Sequence, residues 1–320
     1  MIPVVHHPDY IGPPRAGSAI ASNKYGLVRD VLLASEAVIE WIEPEPMPRA
    51  WLEAVHDLDY VAEVFEQRVP AHKERRIGFP VTGQVARRSA RVPGGTWRAA
   101  IEALDKGFAV NSAGGSHHAL HDTGAGYCVF NDLAVAAHRM VEEGSTRRIL
   151  IVDCDVHQGD GTASLLAGRS EIATYSIHAE KNFPARKARS TLDVGLPDGV
   201  GNDEYLDTLA RTLEPLIADF RPSLLLYQAG VDPFVGDRLG RLSLSREGLV
   251  AREAYISGLA TWLGLPLAST LGGGYGADVR EVAERHVASM LALATGFGMH
   301  KVAFATAPQH STLDGCGAPA

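Results

Sequence analysis

Residues 149–160 read Ile149-Leu150-Ile151-Val152-Asp153-Cys154-Asp155-Val156-His157-Gln158-Gly159-Asp160. Four consecutive aliphatic residues without alternation describe a strand covered on both faces, as in a parallel sheet. The run then turns polar at once, which puts three carboxylates and an imidazole at the strand's carboxyl end. Three other segments share this design. Phe108-Ala109-Val110 leads into Asn111-Ser112-Ala113-Gly114-Gly115, Leu224-Leu225-Leu226-Tyr227 into Gln228-Ala229-Gly230, and Leu265-Pro266-Leu267-Ala268 into Leu271-Gly272-Gly273-Gly274.

Helical patterns lie between these runs. Asn131 or Asp132 can cap a helix carrying Leu133, Ala136, Ala137, Met140 and Val141, ending at Gly144. Another carries Leu206, Leu209, Leu213, Leu216, Ile217 and Phe220 on one face, with a kink expected at Pro215. Strands alternating with helices predict an α/β class protein, a three-layer α/β/α sandwich around a central, mainly parallel sheet. No repeat, low-complexity tract or linker interrupts the chain. The expectation is one catalytic domain over residues 1–305 and a small polar tail over 306–320.

The formal net charge of −8 argues against a direct nucleic-acid or membrane partner, either of which favours a basic field. Cys128, Cys154 and Cys316 are odd in number and widely spaced, so a disulfide framework is not expected and a reducing, cytoplasmic compartment is. The start lacks the pattern of a signal peptide. The most apolar stretch, from Gly258 to Leu267, is too short for a bilayer and contains Pro266.

Ligands of open parallel sheets bind outside the carboxyl ends of the strands. Asp155 and His157, two apart on extended chain, face the same side, and Asp232 at another strand end can join them. Three protein ligands with a free position is the pattern of a catalytic metal, and this oxygen–nitrogen set allows zinc, iron or manganese. D-x-H alone fits a strand-end cap equally well. Flanked by Asp153 and Asp160, these residues become too costly to bury unpaired. His117-His118 follow a glycine pair and precede Gly124-Ala125-Gly126, a backbone shaped for close approach. A hydrolase needs a base for water and an acid for the leaving group, and Asp153 and Asp160 can orient the two imidazoles. Tyr275, after three glycines, reads by itself first as a packing residue, with donation to a developing oxyanion as the alternative.

At GGSHHALHDTGAGYCVFND, ILIVDCDVHQGDG, YQAGVDPFVGDRLGRLSLS and LGGGYG the chain resembles the histone deacetylase family, over most of residues 111–276 and in the family's order. GDRLGRLSLS and Asn23-Lys24-Tyr25-Gly26 look more like the class IV branch and its bacterial relatives. Val55-His56-Asp57-Leu58-Asp59-Tyr60 is similar more weakly. The resemblance implies an arginase-deacetylase fold with about eight strands. It implies one zinc ion on Asp155, His157 and Asp232, and tandem histidines His117 and His118 backed by Asp153 and Asp160. It makes Tyr275 the catalytic tyrosine. Gly126, Tyr127, Phe183, Leu239 and Gly273 would line a tunnel for an acyl-lysine peptide or a small N-acyl amine. It also implies a K+ or Na+ ion held by Asp153, Ser176 and main-chain oxygens of Asp155, His157 and Ile177. Two departures stand out. Ala21-Ser22-Asn23-Lys24 replaces H-P-x-x-P-x-R, which bears on an inner cavity, and the P-P-G-H-H opening of polyamine-directed relatives is missing.

The expected reaction is hydrolysis of a linear amide, with His118 as base in preference to His117. An acetylpolyamine or other small-molecule amidohydrolase is the alternative. An arginase-like dimanganese enzyme is disfavoured because Ser116 precedes the histidines and Gly159 stands two places after His157. A non-enzymatic acyl-binding module is disfavoured because every polar position the chemistry needs is filled. Lys181, Arg186, Lys187 and Arg189 are expected to form a solvated loop. His121 and His178 should be structural, His6, His7 and His310 superficial, and Cys128 and Cys154 small core residues.

Overall fold

A computed structural model describes residues 1–11 and 23–300. Among the described residues there are eight strands: β1 (Ile2–Val5), β2 (Ile39–Ile42), β3 (Phe108–Asn111), β4 (Ile149–Asp153), β5 (Ile172–Ala179), β6 (Leu192–Leu196), β7 (Leu224–Gln228) and β8 (Leu267–Thr270). They form one sheet in the order β2-β1-β3-β8-β7-β4-β5-β6, every pairing parallel. The helices are α1 (Lys24–Ala34), α2 (Arg49–Glu53), α3 (Leu58–Phe65), α4 (Ala71–Ile77), α5 (Gly83–Lys106), α6 (Asp132–Glu142), α7 (Asp160–Leu165), α8 (Asn202–Phe220), α9 (Arg246–Leu263) and α10 (Val279–Gly296). The expected tail lies outside the described residues.

Strand side chains point alternately to the two faces, and both faces are apolar. Leu150, Val152, Leu225 and Tyr227 pack with α1, α8, α9 and α10, whereas Ile149, Ile151, Leu224 and Leu226 pack with α2, α3, α5 and α6. This is why the runs read as continuous, and it makes the three layers expected from the sequence. The Asn131 side chain accepts from the Ala134 amide and caps α6. The helix α8 runs from Asn202 to Phe220 with Pro215 inside it. The strand β8 begins at Leu267, so Leu265 and Pro266 precede it.

In this order β4, β7 and β8 are adjacent, and their carboxyl ends open onto a common rim. The loops after β3 and β8 are laced together, Leu271 N donating to Ala113 O at 3.1 Å and Gly272 N to Gly114 O at 3.2 Å. A Cβ on Gly115 would stand 2.5 Å from the Gly272 Cα, so the approach requires glycine. Among the described residues no helix is long and apolar enough to cross a membrane.

Candidate metal centre

Asp155 and His157 follow β4, and Asp232 follows β7. All three are buried, and one ligand atom from each lies within 4.8 Å of the others. His157 Nδ1 is 2.9 Å from Asp155 Oδ1 and 3.3 Å from Asp232 Oδ2. Asp155 is held firmly: Gln228 Nε2 donates to its Oδ2 at 2.7 Å, and Gly273 N donates to the same oxygen at 2.8 Å. Asp232 Oδ1 accepts from Val156 N at 2.9 Å, but its Oδ2 is buried without a hydrogen-bond partner. Leaving a buried carboxylate oxygen unpartnered is costly, and a cation at that oxygen removes the cost. The space is kept open by glycine, since a Cβ on Gly273 would stand 2.0 Å from Asp232 Oδ2 and 2.7 Å from Asp155 Oδ2.

The electrostatics make the same demand. Burial disfavours charge on His157, yet the carboxylates of Asp155 and Asp232 draw its pKa up to about 10. Burial and the neighbouring Asp155 push Asp232 up to about 7. Burial also opposes the charge on Asp155, but the His117 and His157 imidazoles hold its carboxyl well below the usual range. Two carboxylates this close and this dry require positive charge between them. The donor set therefore fits a divalent ion with oxygen–nitrogen ligands and an open position.

The tandem histidines sit beside this triad. His117 Nδ1 donates to Asp153 Oδ2 at 2.6 Å, and His118 Nδ1 donates to Asp160 Oδ1 at 2.7 Å. With both Nδ1 atoms committed to carboxylates, each ring offers Nε2 for chemistry. Their environments diverge. Burial lowers the basicity of His117, but Asp153 and Asp155 overcome it and raise the pKa to about 9. Burial, with the positive charge of His117 next to it, lowers His118 to about 4 despite Asp160.

The aromatic wall is assembled around them. Phe183 meets His118 edge-on at 4.8 Å between ring centroids, and Tyr127 lies 5.9 Å from Tyr275. Tyr127 has φ 69, a left-handed backbone that costs a non-glycine residue ~1–3 kcal/mol and concentrates at functional sites. A Cβ on Gly126 would collide with the His118 ring, 2.5 Å from Cδ2. The Leu239 carbonyl accepts from Asn182 Nδ2 at 2.8 Å, and Asn182 directly precedes Phe183 in the chain. Gly273 lies against the two carboxylates. Burial pushes the Tyr275 phenol well above its usual pKa, helped by the charges of Asp155 and Asp232, so it remains a donor. Asp153 and Ser176 are paired in register on β4 and β5, and Ser176 Oγ is 2.9 Å from His178 Nδ1.

Several residues take supporting roles that the sequence did not assign to them. Asp132 turns away from the cap role, and its carboxylate accepts from Gly115 N at 3.1 Å, Ser116 N at 2.6 Å and Thr96 Oγ1 at 2.6 Å, fixing the histidine loop. Asp237 accepts from Tyr275 N at 2.6 Å, and from Leu239 N and Gly240 N. Lys24, at the departure noted in the sequence, is buried and donates to Gly272 O at 2.9 Å. Two expectations need correction. Lys187 is not a freely solvated cation, because its ammonium donates to the Asn182 and Pro184 carbonyls at 2.6 and 2.8 Å. His6 is not superficial: it is half-buried, its Nδ1 is 2.8 Å from Ser112 Oγ, and burial lowers its pKa to about 4. His310 lies outside the described residues.

The model of the histone deacetylase domain matches residues 19–291. An uncharacterized protein of Picosynechococcus sp. is 42% identical over 287 residues, covering 89% of this chain and 95% of its own length. Histone deacetylase 2 of Arabidopsis thaliana is 30% identical over 276 residues, 79% of this chain and 68% of that one. A histone deacetylase-like amidohydrolase of Pseudomonas aeruginosa is 30% identical over 182 residues, 52% of this chain and 48% of that one. The crystal structure of the HDA15 HD domain superposes with a TM-score of 0.75 at 19% identity, covering 92% and 90% of the two chains, and shares the fold.

Proposed function

The chain belongs to the histone deacetylase domain family, and on that premise we propose that it is a zinc-dependent deacylase hydrolysing the amide of an acyl-lysine or related N-acyl amine. The family and the buried Asp155–His157–Asp232 triad make it a metal-dependent amidohydrolase. The observation that carries the proposal is the unpartnered Asp232 Oδ2, facing Asp155 and His157 across a space only glycine leaves open. Zinc bound there supplies Lewis acidity to the amide carbonyl and lowers the pKa of water.

The remaining steps belong to side chains. His118, its pKa lowered to about 4, is neutral at pH 7 and accepts the proton of the attacking water at Nε2. It returns that proton to the leaving amine. Asp160 fixes its tautomer through Nδ1. His117, protonated on the strength of Asp153 and Asp155, remains an electrostatic partner. Tyr275 donates to the developing oxyanion. Gly126, Tyr127, Phe183 and Leu239 form the acyl channel, with Gly273 at its floor. Asp153, Ser176 and the main-chain oxygens of Asp155, His157 and Ile177 would hold a monovalent ion, K+ or Na+. We assign the chain to the class IV branch on GDRLGRLSLS, to a single catalytic domain over residues 1–305, and to the cytoplasm.

The test is metal analysis combined with a panel of acetyl-, medium- and long-chain acyl-lysine peptides and acetylpolyamines, with and without chelator. One zinc per chain and chelator-sensitive release of acid from an acyl-lysine are expected. Two manganese ions per chain, or tight binding of acyl ligands with no hydrolysis, refutes the proposal.

A further inference from the structure

Behind the metal centre, on the sheet face away from the histidines, lies a fully buried ion pair. Arg252 and Glu253 are neighbours on α9, and both are 0% exposed. The Arg252 guanidinium bonds Glu253 Oε1 and also donates from Nη1 to the Cys154 carbonyl at 3.1 Å. Glu253 is further saturated by Tyr227 Oη on β7, which donates to Oε2 at 2.6 Å, and by Ser289 Oγ on α10.

Cys154 is the residue between Asp153 and Asp155. Its amide donates to Gln228 O at 3.1 Å, so the main chain at Cys154 is held by β7 through the amide and by Arg252 through the carbonyl. Asp153 points from it to His117, and Asp155 points from it to the triad. Tyr227, the other anchor of the pair, directly precedes Gln228, which bonds Asp155 Oδ2. The pair thus grips both strand ends that aim Asp155. Stability does not explain a buried ion pair, because apolar residues of similar volume often serve a core equally well or better. Fixed direction does explain it, since the planar guanidinium binds a carboxylate and a carbonyl at set angles that an ammonium does not reproduce.

We propose that Arg252 and Glu253 are positioning residues for the metal centre, holding the Cys154 peptide so that Asp153 faces His117 while Asp155 faces the ion. This rests on the reading of Asp155, His157 and Asp232 as metal ligands. Arg252 acts on the ligands through the Cys154 main chain, and losing a partner that orients a ligand typically weakens metal affinity ~10–100-fold.

The experiment measures Zn2+ affinity by competition with a chromophoric chelator, the visible spectrum of the Co2+ form, and the melting temperature of the metal-free chain. Arg252→Lys keeps the charge and loses the fork. It is expected to weaken Zn2+ binding ~10–100-fold and to alter the Co2+ bands. Glu253→Gln keeps an acceptor for Arg252 and should lose less affinity than Arg252→Lys. Should Arg252→Lys fail to fold, Tyr227→Phe carries the test. It nearly preserves core volume but frees one Glu253 oxygen, and at least a threefold loss of Zn2+ affinity supports the proposal. Wild-type Zn2+ affinity and an unchanged Co2+ spectrum, with only a lowered melting temperature, overturn it. A wild-type chain that takes up neither metal overturns instead the reading of the triad, and this inference with it.

Discussion

Replacing Gly273 by alanine tests the centre at its tightest point. The added Cβ would lie 2.0 Å from Asp232 Oδ2 and 2.7 Å from Asp155 Oδ2, where ordinary contact begins at 3.4 Å. One carboxylate must therefore retreat by more than an ångström. Asp155 cannot follow easily, because Gln228 Nε2 and Gly273 N itself fix its Oδ2. Overpacking of this kind costs ~1–3 kcal/mol of folding stability. Displacing a ligand carboxylate should weaken Zn2+ binding by at least the ~10–100-fold that a lost supporting contact costs. The assay is thermal or denaturant unfolding with and without Zn2+. If free Zn2+ is set at 100 times the wild-type dissociation constant, it stabilises the wild type by ~2.7 kcal/mol. A 100-fold weaker site leaves only ~0.4 kcal/mol by the same relation. An alanine variant that keeps the full zinc-dependent stabilisation refutes the placement of the ion between Asp155 and Asp232.

Other consequences follow from the same geometry. Tyr275→Phe should fold as the wild type does and bind Zn2+ unchanged, while kcat falls ~10²–10³-fold on an acyl-lysine peptide; near wild-type turnover removes the oxyanion role. Asp160→Asn retains an acceptor for His118 Nδ1 but not the charge, so kcat should drop ~10–100-fold. Zn2+ affinity should stay constant in that variant, since Asp160 contacts none of the ligands' carboxylates, and a parallel loss of metal would show the assignment to be mistaken. His56 is buried, and that burial lowers its pKa from 6.5 to about 4. The unfolded chain therefore binds the proton first as pH falls, and the stability His56 contributes above pH 6.5 is lost between pH 6.5 and 4. Unfolding free energies measured across that window should decline less steeply in His56→Gln, and an identical slope in both proteins would exclude His56 as a source.

What the sequence revealed and what it concealed have one physical origin. Of the strands, β3, β4, β7 and β8 were legible because both sheet faces are buried there, so Ile149–Val152 and Leu224–Tyr227 carry no polar interruption, whereas β1, β2, β5 and β6 were not read. The ligands were legible because a parallel sheet delivers them immediately after those runs, at Asp155, His157 and Asp232. The residues that hold the ligands in place have no such local mark. Asp132 is in sequence a second candidate cap beside Asn131, and its commitment to Gly115 and Ser116 depends on how α6 is rotated against the loop after β3. Gln228 reads as the first residue past a strand, and its bond to Asp155 spans 73 positions. Lys24 reads as a departure from a pattern, yet it donates to the Gly272 carbonyl 248 positions away. Arg252 and Glu253 carry no local mark in the sequence, yet α9 buries both and brings Arg252 to the Cys154 carbonyl just past β4.

The division between readable ligands and hidden supports also explains why this centre calls for a cation. Five carboxylates, those of Asp132, Asp153, Asp155, Asp160 and Asp232, are buried around two histidines and the triad. Asp132 is satisfied by two backbone amides and a hydroxyl, while Asp153 and Asp160 are each satisfied by an imidazole. Asp155 accepts from Gln228 and Gly273 at one oxygen, leaving the other facing His157. Among these oxygens, Asp232 Oδ2 is the one that is fully buried without a hydrogen-bond donor. In a region this dry, an unpartnered carboxylate oxygen and a histidine drawn up to about 10 describe one deficit of positive charge. A proton on His157 fills it incompletely, since its Nδ1 reaches Asp155 at 2.9 Å and Asp232 only at 3.3 Å. Asp155, His157 and Asp232 would hold a divalent ion that meets both carboxylates and the imidazole in place of that proton, with His118 and Tyr275 beside it for the chemistry.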